Sequence, residues 1–261
     1  MTAKYFGLKA IVSFLLKTIP RKYLQRVSHY VLRIVAIFYK GNQVECPVCD
    51  HQYRTFLPYG RVARANALCP SCLSLERHRI IWLYLHRKTK FFKAPGKLLH
   101  IAPEYCFIDR FEKLENIDYV TADIESPLAK VKMDVHDIPF EDHTFDIVFC
   151  NHVMEHVKDD KLAMREIHRV LKKGGWATLQ IPLFFPLPDH TMEDPDISDP
   201  KERERLFGQD DHVRKYGLDY KDRLQEAGFI LLPNFLEELS TEEITRFGLD
   251  KNEILFIVSK P

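Results

Sequence analysis

Two short cysteine pairs constrain this chain more than any other feature: Cys46-Pro47-Val48-Cys49 and Cys69-Pro70-Ser71-Cys72, with nineteen residues between them. Two Cys-x-x-Cys knuckles at this spacing supply four soft ligands, the donor set of a closed tetrahedral zinc site. A module spanning 42–75 cannot bury enough apolar surface to fold alone, whereas zinc binding can contribute about 10–16 kcal/mol toward folding. Four thiolates leave no open coordination position, so the spacing predicts a structural metal held by Cys46, Cys49, Cys69 and Cys72. A redox dithiol is the competing reading. His51 reads as a surface residue beside the first knuckle, and Cys106 and Cys150 as small strand-end residues. Cysteines in a metal pattern rather than a disulfide pattern point to the cytoplasm.

Charge divides the chain in the same place. Residues 1–97 carry 18 Lys/Arg against three acids (Glu45, Asp50, Glu76), a net of +15, while 98–261 carry 20 against 34, a net of −14. A front end this basic is expected to face an anionic surface or substrate, unless the two halves neutralise each other. Within 20–40, Lys22, Arg26, His29 and Arg33 recur at helical spacing opposite Tyr23, Leu24, Val27, Val31, Ile34, Val35 and Phe38. Pro20 and Gly41 punctuate this stretch, so 1–19 and 21–40 are expected to be two helices of a basic amphipathic segment, 1–41. Such a segment suits peripheral contact with an anionic membrane; the plainer alternative is a helix packed on its own domain. No apolar run reaches the roughly 18 residues of a spanning helix. No cleavage site follows the apolar stretches, so no secretory signal is expected. A cytoplasmic protein, peripheral on the inner membrane face, is the resulting expectation.

From 97 onward the pattern changes to α/β. A helix over 75–92 connects the cysteine module, within a linker of 76–96, to a domain of 97–261. Strands are expected at 97–101, 119–124, 145–150, 176–183, 229–232 and 254–258. A helix over 159–173 opens with Asp159 and Asp160 and stops at Lys172-Lys173-Gly174-Gly175, acids in front and cations with glycine behind. Another is expected near 218–227. Alternation of this kind implies a parallel sheet with helices on both faces, and ligands at the carboxyl ends of its strands. The stretch 184–216, with Pro186, Pro188, Pro195 and Pro200, breaks the rhythm and reads as a substrate-side loop.

The run Asp134-Val135-His136-Asp137-Ile138-Pro139-Phe140, then Phe145-Asp146-Ile147-Val148-Phe149-Cys150-Asn151-His152-Val153-Met154-Glu155-His156-Val157, resembles the middle of a class I S-adenosylmethionine-dependent methyltransferase. Leu171-Lys172-Lys173-Gly174-Gly175 before a strand is similar to the next block of that pattern. The resemblance covers about 97–260 and is nearest to the type 11 subfamily. The knuckles, with Asn66-Ala67-Leu68 and Ser74-Leu75-Glu76-Arg77-His78-Arg79, resemble the zinc-ribbon front end of bacterial members often encoded beside polysaccharide-synthesis genes. The fold implied is a Rossmann-like α/β sheet preceded by a four-cysteine zinc ribbon and a basic amphipathic helical segment.

By that resemblance the cofactor is S-adenosylmethionine. It needs an acid for its ribose diol, one near the adenine amine, and a backbone cradle for its methionine part. Asp123, 21 positions after Ala102, matches the ribose acid; Asp134 matches the adenine-side acid; Asn151 tops the fourth strand beside the methionine end. His100, Ala102, Glu104, Asp123, Asp134, Val135 and Asn151 are the expected cofactor-binding set. One departure stands out: the family's first loop carries an acid and three glycines, whereas His100-Ile101-Ala102-Pro103-Glu104-Tyr105-Cys106 has no glycine, and Pro103 has no amide hydrogen. Glu104 is the candidate to meet the methionine ammonium.

Methyl transfer to a hydroxyl calls for alignment and a base near neutral pKa. His212 is the leading candidate, with Arg214 beside it to hold a phosphate or carboxylate; His152, His156 and His190 compete. Three readings follow. The first is O-methylation of a glycan or lipid-linked saccharide at the cytoplasmic membrane face. The second, an RNA methyltransferase gripping phosphates through its basic ribbon, ranks lower because no alternating aromatic and basic platform is visible. The third is a scaffold that has lost its cofactor.

Overall fold

A computed structural model describes residues 32–261, so the first expected helix and most of the second lie outside the described residues; 32–39 are helical. The chain forms two compact units, one ending at Arg79 but also taking in Thr241–Leu249, the other formed by Ile80–Ser240 and Asp250–Pro261.

The first unit is built from two antiparallel hairpins. In one, β1 (Lys40–Cys46) pairs with β2 (His51–Tyr53); in the other, β3 (Leu57–Tyr59) pairs with β4 (Arg64–Leu68). Each cysteine pair sits in a tight turn where a strand ends, and each turn is closed by a residue in the left-handed region: Asp50 (φ 58°) after Cys49 and Leu73 (φ 62°) after Cys72. Their carbonyl partners match, since the Asp50 amide donates to Cys46 O and the Leu73 amide to Cys69 O. Thr241–Leu249 was expected to belong to the larger domain. It joins the first unit because buried Arg79 donates to the carbonyls of both Phe247 and Gly248, and Arg246 pairs with Glu45 at 2.7 Å. Gly248 (φ 55°) lies so near the Phe56 ring that a Cβ there would come within 2.8 Å of it.

The helix Glu76–Lys88 begins in the first unit and runs on into the second. The second unit is organised by a seven-stranded sheet: β5 (Gly96–Ile101), β6 (Ile117–Asp123), β7 (Val131–Lys132), β8 (Phe145–Asn151), β9 (Leu171–Gln180), β12 (Ile230–Leu231) and β13 (Ile257–Ser259). The two remaining strands, β10 (Met192–Glu193) and β11 (Arg214–Lys215), pair apart from it. Strand order across the sheet is β12-β13-β9-β8-β5-β6-β7. The five strands from β9 to β7 are parallel, and β13 inserts antiparallel between β9 and β12. This is the Rossmann-like α/β sheet that the resemblance implied, and it departs from the parallel sheet expected from the alternation by the two antiparallel strands β13 and β12 at one edge. Sequence order reverses direction between β5 and β8, the switch point at which such sheets open a crevice.

Strand alternation supplies both faces. Leu99, Ile101, Val148, Cys150, Ala177 and Leu179 share one buried cluster with Ala163, Met164, Ile167 and Val170 of the helix Asp160–Val170. On the other face Phe149 meets Phe107 and Phe111 of the helix Tyr105–Phe111, with ring centroids 6.1 and 5.8 Å away. Asp159 caps the helix Asp160–Val170 by accepting from the Leu162 amide. That helix ends at Val170, and β9 starts at Leu171 rather than after the glycines. Gly175 is needed inside the strand, where a Cβ would sit 2.9 Å from the Asp146 carbonyl oxygen. The stretch 184–216 is not irregular throughout. It carries β10, the helix Pro200–Phe207 and β11, which pairs with β10.

Candidate active site

Both strands flanking the switch point leave the sheet through the left-handed region: Ala102 (φ 51°) after β5 and His152 (φ 55°) after β8. Their amides remain tied to the neighbouring strands, Ala102 N to Ala122 O and His152 N to Gln180 O. The glycine-free loop therefore makes the turn that a glycine would make more cheaply, at a cost of about 1–2 kcal/mol for a residue bearing a Cβ. Pro103 follows, buried, where its missing amide hydrogen leaves nothing unsatisfied.

Glu104 stands at the front of the helix Tyr105–Phe111, but its side chain makes no cap bond. It turns instead to the switch point. One carboxylate oxygen lies 2.5 Å from His100 Nε2, and Asn151 Nδ2 donates to the carboxylate at 3.1 Å. His100 Nδ1 meets the Tyr119 hydroxyl at 2.8 Å, and Thr178 Oγ1 donates to Asn151 Oδ1 at 2.8 Å. A polar chain thus crosses four adjacent strands, Tyr119–His100–Glu104–Asn151–Thr178, and fixes one carboxylate at the mouth of the crevice. The expected residues His100, Ala102, Glu104 and Asn151 are brought together here. His100 and Asn151 are buried, and both amide atoms of Asn151 are already bonded, so they position Glu104 rather than present themselves to a ligand.

Asp123 ends β6 on the same edge. Its Oδ1 accepts from the amides of Glu125 (2.8 Å) and Ser126 (2.7 Å), which holds the carboxylate and leaves Oδ2 to a ligand. It lines a cavity of ≈ 280 Å³ with Ser126, Val131 and Lys132. Asp134 is exposed and sits 2.7 Å from His136 Nδ1 while accepting from the His136 amide. That amide bond, together with the imidazole, holds the Asp134 carboxyl below its ordinary range, so it stays charged. Val135 turns inward and is part of the core, so only its main chain can serve a ligand.

The expected acceptor-side pair differs from the sequence reading. Arg214 is buried and its fork is committed: Nη1 donates to Met154 O and Val157 O, Nη2 to Lys158 O, and Nε to Glu193 at 2.9 Å. It braces the loop after β8 against β10, with four of its five N–H donors taken by protein acceptors. His212 is fully buried, with Nδ1 on the Phe207 carbonyl at 3.0 Å, too deep to act as base on a bound acceptor. His190, by contrast, is exposed. Sequence reasoning missed the latch around Arg214. Arg223 bonds both Asp160 (3.0 Å) and Glu193 (2.7 Å), and Tyr216 donates to Asp160 at 2.7 Å, so the proline-rich excursion is clamped to the helix Asp160–Val170. No short motif announces these partners, which lie far apart in the chain.

In the first unit the four thiols come together. Cys46 and Cys72 sulfurs are 3.5 Å apart and those of Cys49 and Cys69 3.7 Å, and all four lie within 4.8 Å of one another. Tetrahedral zinc with bonds of ~2.3 Å spaces its sulfurs about 3.8 Å apart. The cysteines are free thiols, not disulfides. Ser74 Oγ lies 3.1 Å from Cys46 Sγ and 3.2 Å from Cys72 Sγ. Arg79, fully buried, donates to Ala67 O and Ser74 O as well as to the Phe247 and Gly248 carbonyls. Its cation offsets one of the two net negative charges that four thiolates and a divalent ion would carry. Hydrogen bonds from its fellow cysteines push the Cys69 thiol up. Against burial, hydrogen bonds from its fellow cysteines and Ser74 draw Cys46 down. The spacing of the four sulfurs suits a divalent cation that takes all of them as thiolates. His51 is exposed, its Nδ1 2.7 Å from Cys49 O, outside the donor set.

Comparison with known proteins bears on the second unit. A family model described as a methyltransferase domain matches residues 107–179, which begins just after the altered loop. A 2-phytyl-1,4-naphtoquinone methyltransferase of Nostoc punctiforme is 38% identical over 52 residues, 20% of this chain and 23% of that protein. The Bacillus subtilis protein YrhH is 51% identical over 39 residues, 15% of this chain and 22% of its own. The chain spans less than a quarter of the length of these curated relatives. Among solved structures, an S-adenosylmethionine dependent methyltransferase from Mesorhizobium loti aligns with a TM-score of 0.44 at 13% identity, covering 64% of this chain and 92% of that one.

Proposed function

We propose that this chain, whose second unit carries a methyltransferase domain over 107–179, transfers a methyl group from S-adenosylmethionine to an acceptor hydroxyl. The observation that carries this reading is Glu104: a carboxylate held at the switch point by His100 and Asn151, beside a backbone turn of the left-handed kind at Ala102. An ammonium group is the natural partner of such a carboxylate, and the methionine part of the donor has one. The ribose diol falls to Asp123, the adenine side to Asp134 and the main chain of Val135. When bound, the donor supplies an electrophilic sulfonium methyl. The residues' share is then alignment, which can contribute about 7–11 kcal/mol.

Titration calorimetry with S-adenosylmethionine tests the reading directly. Binding tighter than about 1 mM, weakened at least tenfold by Glu104→Gln and abolished by Asp123→Ala, is the expected result. A wild-type chain that takes up no donor would favour a scaffold and end the transferase reading.

For the acceptor we propose a saccharide, free or lipid-linked, met at an anionic membrane surface. Support comes from the basic front end and from Ile34, Ile37 and Phe38, which are 60–71% exposed within the helical residues 32–39. Among the described residues no helix is long and apolar enough to cross a membrane. The four-thiol centre, in this reading, holds one structural zinc. Flotation with anionic vesicles after nuclease treatment separates membrane from RNA: co-flotation supports the membrane, and nuclease-sensitive binding supports the phosphate-gripping alternative.

A further inference from the structure

Beyond β8 the chain folds back to bring three potential ligands together within the second unit. Glu155, His156 and His212 each offer one ligand atom, and these atoms lie within 4.8 Å of one another. Glu155 is 1% exposed and His212 0%, and each keeps one buried side-chain atom with no hydrogen-bond partner: Glu155 Oε2 and His212 Nε2. An unpartnered buried acceptor costs about 1–3 kcal/mol, and two of the three residues in this cluster each carry one.

The proton positions say what kind. His212 Nδ1 sits 3.0 Å from the Phe207 carbonyl oxygen, which only accepts, so Nδ1 bears the hydrogen and Nε2 a lone pair. His156 Nδ1 faces the Asp211 carbonyl at 3.4 Å, which turns its Nε2 toward Glu155, 4.0 Å from Oε1. Two imidazole lone pairs and a carboxylate therefore converge with no hydrogen among them. Each imidazole has its other nitrogen on a carbonyl, the outer bond that metal-ligating histidines make. His152 steadies the carboxylate, with its Nδ1 3.1 Å from Glu155 Oε1.

We propose that Glu155, His156 and His212 bind a divalent transition-metal ion, zinc or a similar borderline cation, as a second metal site of this chain. Imidazole and carboxylate donors suit zinc, manganese, iron or cobalt, in contrast to the soft thiolates of the ribbon. Three protein ligands leave a coordination position open, the arrangement of a working rather than a structural metal. Metal binding at this site does not depend on the transferase reading.

The test is a count of bound metal on the full-length protein, by elemental analysis after equilibrium dialysis against excess cobalt or zinc. Wild type is expected to hold two equivalents. His156→Ala, a change at an exposed position that leaves the core untouched, is expected to hold one and to keep the thiolate-to-cobalt absorption of the ribbon. His190→Ala, an exposed histidine elsewhere, is expected to keep both. One equivalent in the wild type, or two retained by His156→Ala, would overturn the proposal. Either result is independent of whether S-adenosylmethionine binds, which calorimetry reads separately.

Discussion

The two units of this chain reach their order by different routes. In the first, two short hairpins accompany four clustered thiols, and only a few apolar side chains such as Tyr53, Phe56 and Leu75 are buried. Its charged interior, four cysteines around Ser74 and the buried Arg79 guanidinium, is what must be satisfied for the unit to hold together. In the second, a seven-stranded sheet buries aliphatic side chains on one face and aromatic rings on the other, and buried polar groups gather at strand ends and in the latch around Arg214. The same local device, a residue bent into the left-handed region, serves different ends in each. Asp50 and Leu73 close turns around a metal centre, whereas Ala102 and His152 open the two sides of a crevice. A metal-organised unit is therefore expected to fail as a whole when one ligand goes. A sheet-organised unit is expected to absorb a loss at its strand ends and to pay in ligand affinity instead.

The largest effect should follow Cys69→Ser. It removes one of four ligands from a site whose metal is worth about 10–16 kcal/mol to folding. We expect one metal equivalent to be lost and the first unit to become open to proteolysis, while the sheet of the second unit stays resistant. Cleavage identical to wild type would erase the contrast between the units. Arg79→Met comes next. It takes a donor from the carbonyls of Ala67, Ser74, Phe247 and Gly248 and removes the buried counter-charge, at a cost of about 3–5 kcal/mol. Chemical denaturation should show that loss, with the metal released at lower denaturant than in wild type.

How much of this was legible in the sequence follows the same division. The four ligands could be named from spacing alone, because Cys-x-x-Cys is a local rule and the metal does the rest. The strands at β5, β6 and β8 were likewise visible as apolar runs, and Asp159 as a helix start, because those signals are local and periodic. What escaped was whatever depends on partners distant in sequence. Thr241–Leu249 has the composition of any helical turn, and only Arg79 reaching its carbonyls explains its place in the first unit. Arg214 reads as an anion-binding arginine until Met154, Val157 and Lys158 carbonyls occupy its donors. Short elements escaped too, since the two residues of β7 and the seven of Tyr105–Phe111 carry too little periodicity to register.

The latch around Arg214 sharpens the contrast at intermediate size. Burial alone would raise the Glu193 carboxyl, but hydrogen bonds and charge from Arg223 and Arg214 more than reverse this, and its pKa is lowered in the fold. A depressed carboxyl stabilises the fold above its unfolded pKa of about 4.3, and that contribution is lost as pH falls through the folded value. Acid denaturation should thus loosen the 184–216 excursion, and Glu193→Gln should flatten the acid limb of the stability curve. An unchanged limb would mean that the latch carries no net energy. Arg214→Met should cost about 2–4 kcal/mol yet leave the ribbon's metal in place.

The smallest expected effect is at Ala102. Its left-handed backbone costs about 1–2 kcal/mol in a residue with a Cβ, and glycine would remove that cost while adding about 0.4–1 kcal/mol of unfolded-state entropy. Ala102→Gly should therefore raise stability by no more than about 1.6 kcal/mol, at about 2–4 °C in Tm per kcal/mol for a domain of this size. A falling Tm would mean that the alanine methyl packs better than the strain costs. The informative readout is the donor's affinity. If the turn already has the shape a glycine would give, affinity should stay within about twofold of wild type while stability rises. If affinity climbs tenfold or more instead, the alanine turn is a compromised cradle, and the second unit's strand ends tolerate strain at the direct expense of binding.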